Sequence, residues 1–331
     1  MKKLRDNLRA GVIGVGSMGR HHVRLVSQTP GVTFVGFHEP DLERAKEYCS
    51  IYGCTAFGTV DELLDHVDAV SIAAPTSLHH EIGKVCIARG VHALVEKPLA
   101  HNLDAARQLV EAAAAADVTL MVGHVERYNP AVQQLMEMLT QEQDEIVSID
   151  TRRLAPFDGT RCLDVDVLYD LLIHDVDLAL EIAGSPVRRV SASGRSVFSQ
   201  QIDVVHATLE FENKACAALC AGKCSAKKVR TITVSTPRRY FEVDTLCNSL
   251  TVYTAEEVPI PDQTICLMGN IRCEDAPVPQ HEPLRAELDD FFRAIKHASR
   301  PVVDGERALR GMETLELIKC SIEQKQDLVL P

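Results

Sequence analysis

Short apolar runs alternate with amphipathic segments over the first 125 residues, and the two patterns predict strands and helices in turn. Strands are predicted at residues 10–16, 32–37, 68–74, 92–96 and 118–122. Helices are predicted between them at residues 17–28, 41–49, 77–90 and 102–116. Asn102 is the expected N-cap of the last of these helices. Repeated strand–helix units predict a parallel sheet with helices on both faces.

After Pro130 the pattern changes to strand-like runs with few helices between them. Helices are predicted at residues 131–140 and 166–183, and two more close the chain after an irregular loop at 255–280. Strands are predicted at residues 145–154, 187–193, 203–211, 215–221, 230–236, 239–244 and 249–254. The first closing helix carries one apolar stripe, formed by Leu284, Leu288, Phe291 and Ile295. Consecutive strands are typical of a mostly antiparallel sheet, so this part is predicted to be an α+β domain.

Length and charge restrict the class of protein. A chain of 331 residues suggests two domains. The net charge of -12 and the lack of a long basic run argue against nucleic acid or an anionic membrane surface as the main partner. The first 16 residues lack the apolar region of a signal peptide, and no run approaches the length of a membrane span. We therefore expect a cytoplasmic protein with a small-molecule substrate.

The cysteines suggest a reducing compartment rather than a metal site. The chain has 11 cysteines, of which Cys216, Cys220 and Cys224 recur at every fourth residue. Neither a second cysteine pair nor a histidine completes a known metal-binding pattern around them. Even spacing on a strand places all three on one face, where we expect small buried thiols and no metal.

The first predicted turn contains Gly14-x-Gly16-x-x-Gly19, between a strand and a helix. In a dinucleotide fingerprint the first glycine permits a tight turn and the second lets the backbone approach a pyrophosphate. The third lets the helix and strand pack closely. The pyrophosphate itself would lie at the helix N-terminus. A glycine-rich turn without a ligand is the alternative.

An acidic residue, Glu39, closes the second predicted strand at the position where the fingerprint expects one. Its carboxylate would bind the adenosine ribose and repel a 2′-phosphate, so NAD is expected in preference to NADP. Ser17 and Met18 are further candidate cofactor contacts. The predicted fold is α/β, with an N-terminal Rossmann dinucleotide-binding domain at residues 1–125 and a C-terminal α+β domain, with its large, mostly antiparallel sheet, at 126–331. Whether the closing helices pack back on the first domain stays open.

Two further strands of the first domain end in residues suited to a ligand site. Pro75 and Thr76 follow one strand, and Glu96 and Lys97 end the next. Ligands bind at the carboxyl ends of the strands in open parallel sheets, so all four residues are candidate cofactor contacts. Lys97 could equally be a solvated lysine on a loop.

Three motifs together resemble the Gfo/Idh/MocA oxidoreductases. They are the glycine pattern, residues 96–100 (EKPLA) and Asp170-x-x-x-His174, and the resemblance extends over nearly the whole chain. Asp170 and His174 lie four residues apart and would share one face of a helix. The resemblance implies oxidation of a sugar secondary alcohol to a ketone, with the nicotinamide taking the hydride. It makes His174 the base, Asp170 the residue that orients or charges it, and Lys97 the group that stabilises the developing alkoxide.

A narrower resemblance covers residues 123–132 (GHVERYNPAV) and 163–180. These segments are similar to the branch of the family that oxidises the 3-hydroxyl of UDP-N-acetylglucosamine. That branch implies a 3-keto sugar nucleotide for a partner aminotransferase, on a route to the 3-amino sugar of some lipid A molecules. A dehydrogenase of a free polyol such as inositol is the alternative, and an NAD-binding sensor without turnover is a third possibility.

The first of these segments carries the chain between the domains, and in the family this crossing lines the active-site cleft. The resemblance makes the polar residues there candidate substrate contacts. The candidates are His124, Arg127, Tyr128 and Asn129, together with Arg161 further along the chain. Arg127 or Arg161 would pair with a diphosphate, and Tyr128 would stack on a uracil or sugar. A local salt bridge between Glu126 and Arg127 is the alternative.

The apolar character of the strands at 202–235 also suggests a sheet buried on both faces. In the family the open sheet face packs against that of a second subunit. We therefore expect a homodimer or homotetramer.

Overall fold

The structure is a computed structural model that describes residues 7–143, 145–158, 166–255 and 271–330. The chain divides into two compact units. The first unit comprises residues up to Val125 together with Glu282–Met312, and the second comprises Glu126–His281 together with the residues from Glu313 onward.

The first unit contains a six-stranded parallel sheet. Its strands are β1 (Leu8–Ile13), β2 (Val32–His38), β3 (Thr55–Phe57), β4 (Ala69–Ile72), β5 (His92–Glu96) and β6 (Leu120–Gly123). Their order is β3-β2-β1-β4-β5-β6. The chain adds β2 and β3 on one side of β1 and then β4, β5 and β6 on the other, so the strand order reverses between β1 and β4. Every adjacent pair is parallel, which confirms the predicted sheet. β3 was not predicted, because a strand of three residues carries little periodic signal.

Apart from the short helix Val60–Leu64, which was not predicted, the described helices agree closely with the apolar periodicity. They are α1 (Gly19–Val26), α2 (Leu42–Tyr52), α3 (Val60–Leu64), α4 (Thr76–Ala88), α5 (Leu103–Ala116), α6 (Pro130–Gln141), α7 (Ile173–Ala183), α8 (Pro283–His297) and α9 (Gly305–Gln324). Asn102 caps α5 as predicted, since its side chain accepts the Ala105 N–H. The four apolar residues predicted to share one face of α8 are all buried. None of the described helices combines the length and the apolar character needed to cross a bilayer.

The second unit contains a nine-stranded sheet. Its strands are β7 (Ser148–Leu154), β8 (Val187–Arg195), β9 (Val204–Phe211), β10 (Cys216–Gly222), β11 (Val229–Ser235), β12 (Arg239–Asp244), β13 (Ser249–Ala255), β14 (Ile271–Asp275) and β15 (Leu328–Val329). Their order is β14-β13-β12-β11-β7-β10-β9-β8-β15. Only the β7–β10 pair is parallel among these described strands, which confirms a mostly antiparallel sheet. The loop prediction for residues 255–280 is wrong over β14, which is exposed at every position and so lacks an apolar alternation.

One face of the second sheet packs on helices and carries the core of the unit. Along β10, Ala217, Leu219 and Ala221 are buried in this core. Cys216 and Cys220 alternate with them, so they lie on the opposite face, and Cys216 is exposed. Cys224 lies beyond the strand and is also exposed. The expectation of three buried thiols on one face is therefore wrong, because the period of two sends the cysteine face away from the core.

Candidate active site

The loop between β1 and α1 has the backbone geometry of a dinucleotide cradle. Gly14 has φ +87°, and a Cβ there would lie 2.9 Å from the Ala73 carbonyl. A Cβ on Gly19 would lie 1.9 Å from the Gly14 carbonyl oxygen, so helix and loop approach as closely as only glycine allows. A Cβ on Gly16 would meet no atom within 4 Å. The space left open at Gly16 suits a pyrophosphate at the start of α1.

Two exposed residues stand beside this cradle. Ser17 and Met18 lie between Gly16 and the first turn of α1, and Met18 occupies the N-cap position. Met18 makes no side-chain capping bond, and the Arg20 and His21 amides of the first turn donate to the Gly16 and Met18 carbonyl oxygens.

The carboxylate of Glu39 is fixed at the end of β2. It accepts the Val15 N–H at 2.7 Å and the Asp41 N–H at 3.0 Å. The Arg44 guanidinium lies 3.3 Å from the same carboxylate. Val15 belongs to the glycine loop, so this contact sets Glu39 beside the cradle. Sequence reasoning missed Arg44, which bears on cofactor choice because an arginine here can accept a 2′-phosphate.

The ends of β4 and β5 carry the remaining candidate cofactor contacts. Pro75 is the N-cap of α4 and Thr76 is its first residue. Glu96 is the last residue of β5 and is buried, and one of its carboxylate oxygens accepts the Lys97 N–H at 3.3 Å. Burial alone would raise the pKa of Glu96, but the hydrogen bond from His22 and the charge of Lys97 hold that pKa below its usual value.

In the second unit, the predicted helix at 166–183 begins differently from the prediction. Residues Leu168–Leu172 form a π-helical turn, which α7 then continues as an α-helix. Asp170 therefore lies on the wider turn and His174 in the first turn of α7, so simple i, i+4 spacing does not relate them. Single π turns are frequent at functional sites of helices. The Asp170 carboxylate lies 3.2 Å from Lys223 Nζ, a partner that follows β10 and that sequence reasoning missed.

The segment after β6 is tightly bound within the protein. Arg127 is buried and donates to Asp177 at 2.6 Å and 3.0 Å. It also lies 2.9 Å from Glu181. Burial opposes the charge on Arg127, but these two carboxylates raise its pKa above the usual value. Glu126 pairs with Arg153 at 2.6 Å, so the local Glu126–Arg127 bridge that the sequence allowed is replaced by two longer-range pairs.

The neighbouring candidates are buried as well. Asn129 caps α6, accepting the Ala131 N–H while its amide donates to the Thr245 carbonyl at 3.1 Å. Tyr128 is 2 % exposed, and His124, directly after β6, is 1 % exposed. Arg161 lies outside the described residues.

Comparison with known proteins identifies the family. Residues 8–124 match the model of an oxidoreductase family with an NAD-binding Rossmann fold, and residues 103–239 match the GFO/IDH/MocA C-terminal domain. The chain is also 34% identical over 321 residues to UDP-N-acetylglucosamine 3-dehydrogenase from Acidithiobacillus ferrooxidans, covering 96% of this chain and 98% of that protein. The chain belongs to the Gfo/Idh/MocA family.

Other members support the same assignment over the full length. The chain is 25% identical over 338 residues to myo-inositol 2-dehydrogenase from Thermotoga maritima, covering 98% of each protein. The solved structure of the A. ferrooxidans enzyme has a TM-score of 0.87 at 32% identity, over 96% of this chain and 98% of that one. The predictions of family, fold class and oxidoreductase activity are confirmed. As a Gfo/Idh/MocA protein with this Rossmann domain, the chain takes a nicotinamide dinucleotide.

Proposed function

We propose that the protein oxidises the 3-hydroxyl of UDP-N-acetylglucosamine to a ketone, with NAD as the oxidant. The observation that carries the proposal is the 34% identity, over 96% of this chain, to an enzyme named for that reaction. The substrate would be an anionic small molecule, and its 3-keto product would pass to an aminotransferase, on a route to the 3-amino sugar of lipid A. We place this reaction in the cytoplasm.

Three side chains carry the proposed chemistry. His174 accepts the proton of the substrate hydroxyl, since an imidazole is a competent base near neutral pH. Asp170 orients or charges that imidazole, and its carboxylate lies 3.2 Å from Lys223 Nζ. Lys97 stabilises the negative charge that develops on the substrate oxygen. When bound, the nicotinamide supplies the hydride acceptor.

NAD is the proposed cofactor because the Glu39 carboxylate disfavours a 2′-phosphate. Arg44 opposes this preference, since its guanidinium lies 3.3 Å from the same carboxylate. The carboxylate is buried whereas the Arg44 side chain is 42% exposed, so Glu39 is the better fixed of the two.

The proposed substrate contacts are His124, Arg127, Tyr128, Asn129 and Arg161. A diphosphate would compete with Asp177 and Glu181 for Arg127, which lowers the affinity that this residue can supply. Tyr128 and Asn129 are similarly occupied in packing and capping. Arg127, Tyr128 and Asn129 would therefore set the shape of the site and contribute little to binding the charged diphosphate.

The test is the appearance of reduced nicotinamide when the purified protein meets NAD and UDP-N-acetylglucosamine. A 3-aminotransferase with glutamate removes the ketone, and myo-inositol runs in parallel. Turnover that is lost in Lys97→Ala and in His174→Ala supports the proposal and the residue roles. Turnover with inositol alone would replace the proposed substrate by a polyol, the second candidate that the full-length similarity to myo-inositol 2-dehydrogenase favours.

We further propose that the protein forms a homodimer or homotetramer through the outer face of the second sheet. That face carries Cys216 and His206, both exposed in the single chain. Light scattering of the wild type and of His206→Glu tests the assignment. A charge buried between two copies would weaken the assembly, whereas an unchanged mass would place the interface elsewhere.

A further inference from the structure

Two buried histidines of the first unit contact the segment around Lys97 from different elements. His22 lies on α1 and is 0% exposed, and His79 lies on α4 and is 1% exposed. Neither belongs to the chemistry assigned above. Buried imidazoles are retained where both ring nitrogens have a polar partner, so the partners indicate the role.

His22 fixes the residue before Lys97. Its Nε2 lies 2.9 Å from a carboxylate oxygen of Glu96, and its Nδ1 lies 2.7 Å from the hydroxyl of Ser71 on β4. The ionised carboxylate can only accept, so Nε2 carries the proton and donates. The other oxygen of Glu96 accepts the Lys97 N–H at 3.3 Å. His22 therefore connects the cofactor helix α1 to the backbone of Lys97 through one carboxylate.

His79 fixes the residue after Lys97. Its Nδ1 lies 2.8 Å from the Pro98 carbonyl oxygen, and its Nε2 lies 2.9 Å from the Ala74 carbonyl oxygen. Ala74 follows β4 and immediately precedes the candidate cofactor contacts Pro75 and Thr76. Both carbonyl oxygens can only accept, so a neutral imidazole donates to one of them, and only the doubly protonated ring donates to both. In either form the ring lies between the loop after β4 and the loop after β5.

We propose that His22 and His79 are positioning residues for Lys97, His22 by fixing Glu96 and His79 by fixing Pro98. This inference rests on the proposed role of Lys97 in the reaction. A displaced ammonium would stabilise the alkoxide poorly, since a misplacement of about 1 Å can lower the rate by about 100-fold.

Paired amide substitutions separate the two ring nitrogens. Asparagine places its amide near the Nδ1 position of a histidine and glutamine near Nε2. His22→Gln and His79→Asn therefore keep the contacts to Glu96 and Pro98, whereas His22→Asn and His79→Gln keep those to Ser71 and Ala74. Asn and Gln at the exposed His297 of α8 are the matched controls.

The expected result is a crossed pattern in kcat. His22→Asn and His79→Gln should lower kcat at least tenfold with KM for substrate changed less than threefold, while His22→Gln and His79→Asn keep at least a third of kcat. In a Lys97→Ala background the same four substitutions should cause no further loss, because non-additivity identifies residues that act through one group. Equal losses for Asn and Gln, or a further loss in that background, would overturn the proposal.

A second readout needs no turnover, so it separates this inference from the proposed reaction. Amide hydrogen exchange over residues 96–100 should accelerate at least tenfold in His22→Asn and His79→Gln but not in their partner variants or the His297 controls. Unchanged exchange in the first pair would contradict the positioning role even if the wild type proved inactive with every sugar tried. The crossed exchange pattern in a protein inactive on UDP-N-acetylglucosamine would retain the role and reject only that substrate.

Discussion

The two units bury their carboxylates in different ways. In the second unit, Asp177 and Asp175 each face a buried arginine, Arg127 and Arg153 respectively. In the first unit, the buried Glu96 accepts a hydrogen bond from the imidazole of His22 instead. The buried carboxylates of the second unit therefore lie beside permanent positive charges, because a guanidinium stays protonated in proteins, whereas Glu96 lies beside a ring.

The arginine pairs place permanent positive charges beside the buried carboxylates of the second unit. A guanidinium stays protonated in proteins and binds two carboxylate oxygens at once. Arg153 pairs with both Asp175 and Glu126. Burial raises the pKa of Asp175 even though Arg153 acts to lower it, so this carboxylate depends on its partner.

The first unit also contains a buried carboxyl group that differs from these arginine-paired carboxylates. Glu287 on α8 is 0% exposed, and neither of its oxygens has a hydrogen-bond partner among the residues that the structure describes. Burial, followed by the nearby charges of Glu96 and Asp290, raises its pKa well above the usual value of 4.5. The Glu287 carboxyl therefore keeps its proton to higher pH than Glu96, whose pKa is lowered.

The largest effect should come from removing a partner in the second unit. Arg153→Leu leaves Asp175 and Glu126 without their counter-charge, and unpaired buried charges of this kind cost about 3–5 kcal/mol. Denaturant unfolding of the variant measures the loss. Arg272→Leu is the control, because Arg272 is an exposed arginine on the edge strand β14 and should change stability by less than about 0.5 kcal/mol. Similar values for the two variants would contradict the dependence of Asp175 and Glu126 on Arg153.

The next largest effect on stability should come from Glu287, which destabilises the folded state when it becomes charged. Because its folded pKa is raised, the folded state holds a proton that the unfolded chain releases above pH 4.5. The stabilisation from this proton is therefore fully present below pH 4.5. Above it, the free energy of unfolding declines by up to about 1.4 kcal/mol per pH unit, until the pH reaches the folded pKa. Urea unfolding between pH 5 and 8 should show that the free energy of unfolding declines less steeply with pH in Glu287→Gln than in the wild type. The exposed Asp289→Asn serves as control, and an unaltered slope in Glu287→Gln would mean that the carboxyl is ionised.

The smallest change in stability is expected at Arg44, the arginine that pairs with a buried carboxylate of the first unit. Its side chain is 42% exposed, and such a pair contributes about 1 kcal/mol or less. Arg44→Ala should instead shift cofactor choice, raising KM for NADP more than KM for NAD. Steady-state kinetics with both cofactors measures the ratio. A ratio that does not move would exclude Arg44 from the 2′-phosphate position.

Periodicity and spacing predicted most of the fold and part of the site. The parallel sheet, the α5 cap and the glycine cradle depend on residues close in the chain, so local patterns reveal them. The contacts that were missed join distant positions, as His22 does with Glu96 and Arg127 with Asp177. Pairing at such separations follows from tertiary packing, which one sequence does not encode as a pattern. The π turn at Leu168–Leu172 has the same origin, since its apolar residues fit an α-helix equally well.

The most direct test of the account is isotope transfer from UDP-N-acetylglucosamine carrying deuterium at C3 of the sugar. We predict that deuterium appears in the reduced nicotinamide and that turnover slows against the unlabelled substrate when hydride transfer limits the rate. His174→Ala should transfer no deuterium. Reduced nicotinamide that forms without deuterium would show that another carbon is oxidised and would contradict the central claim.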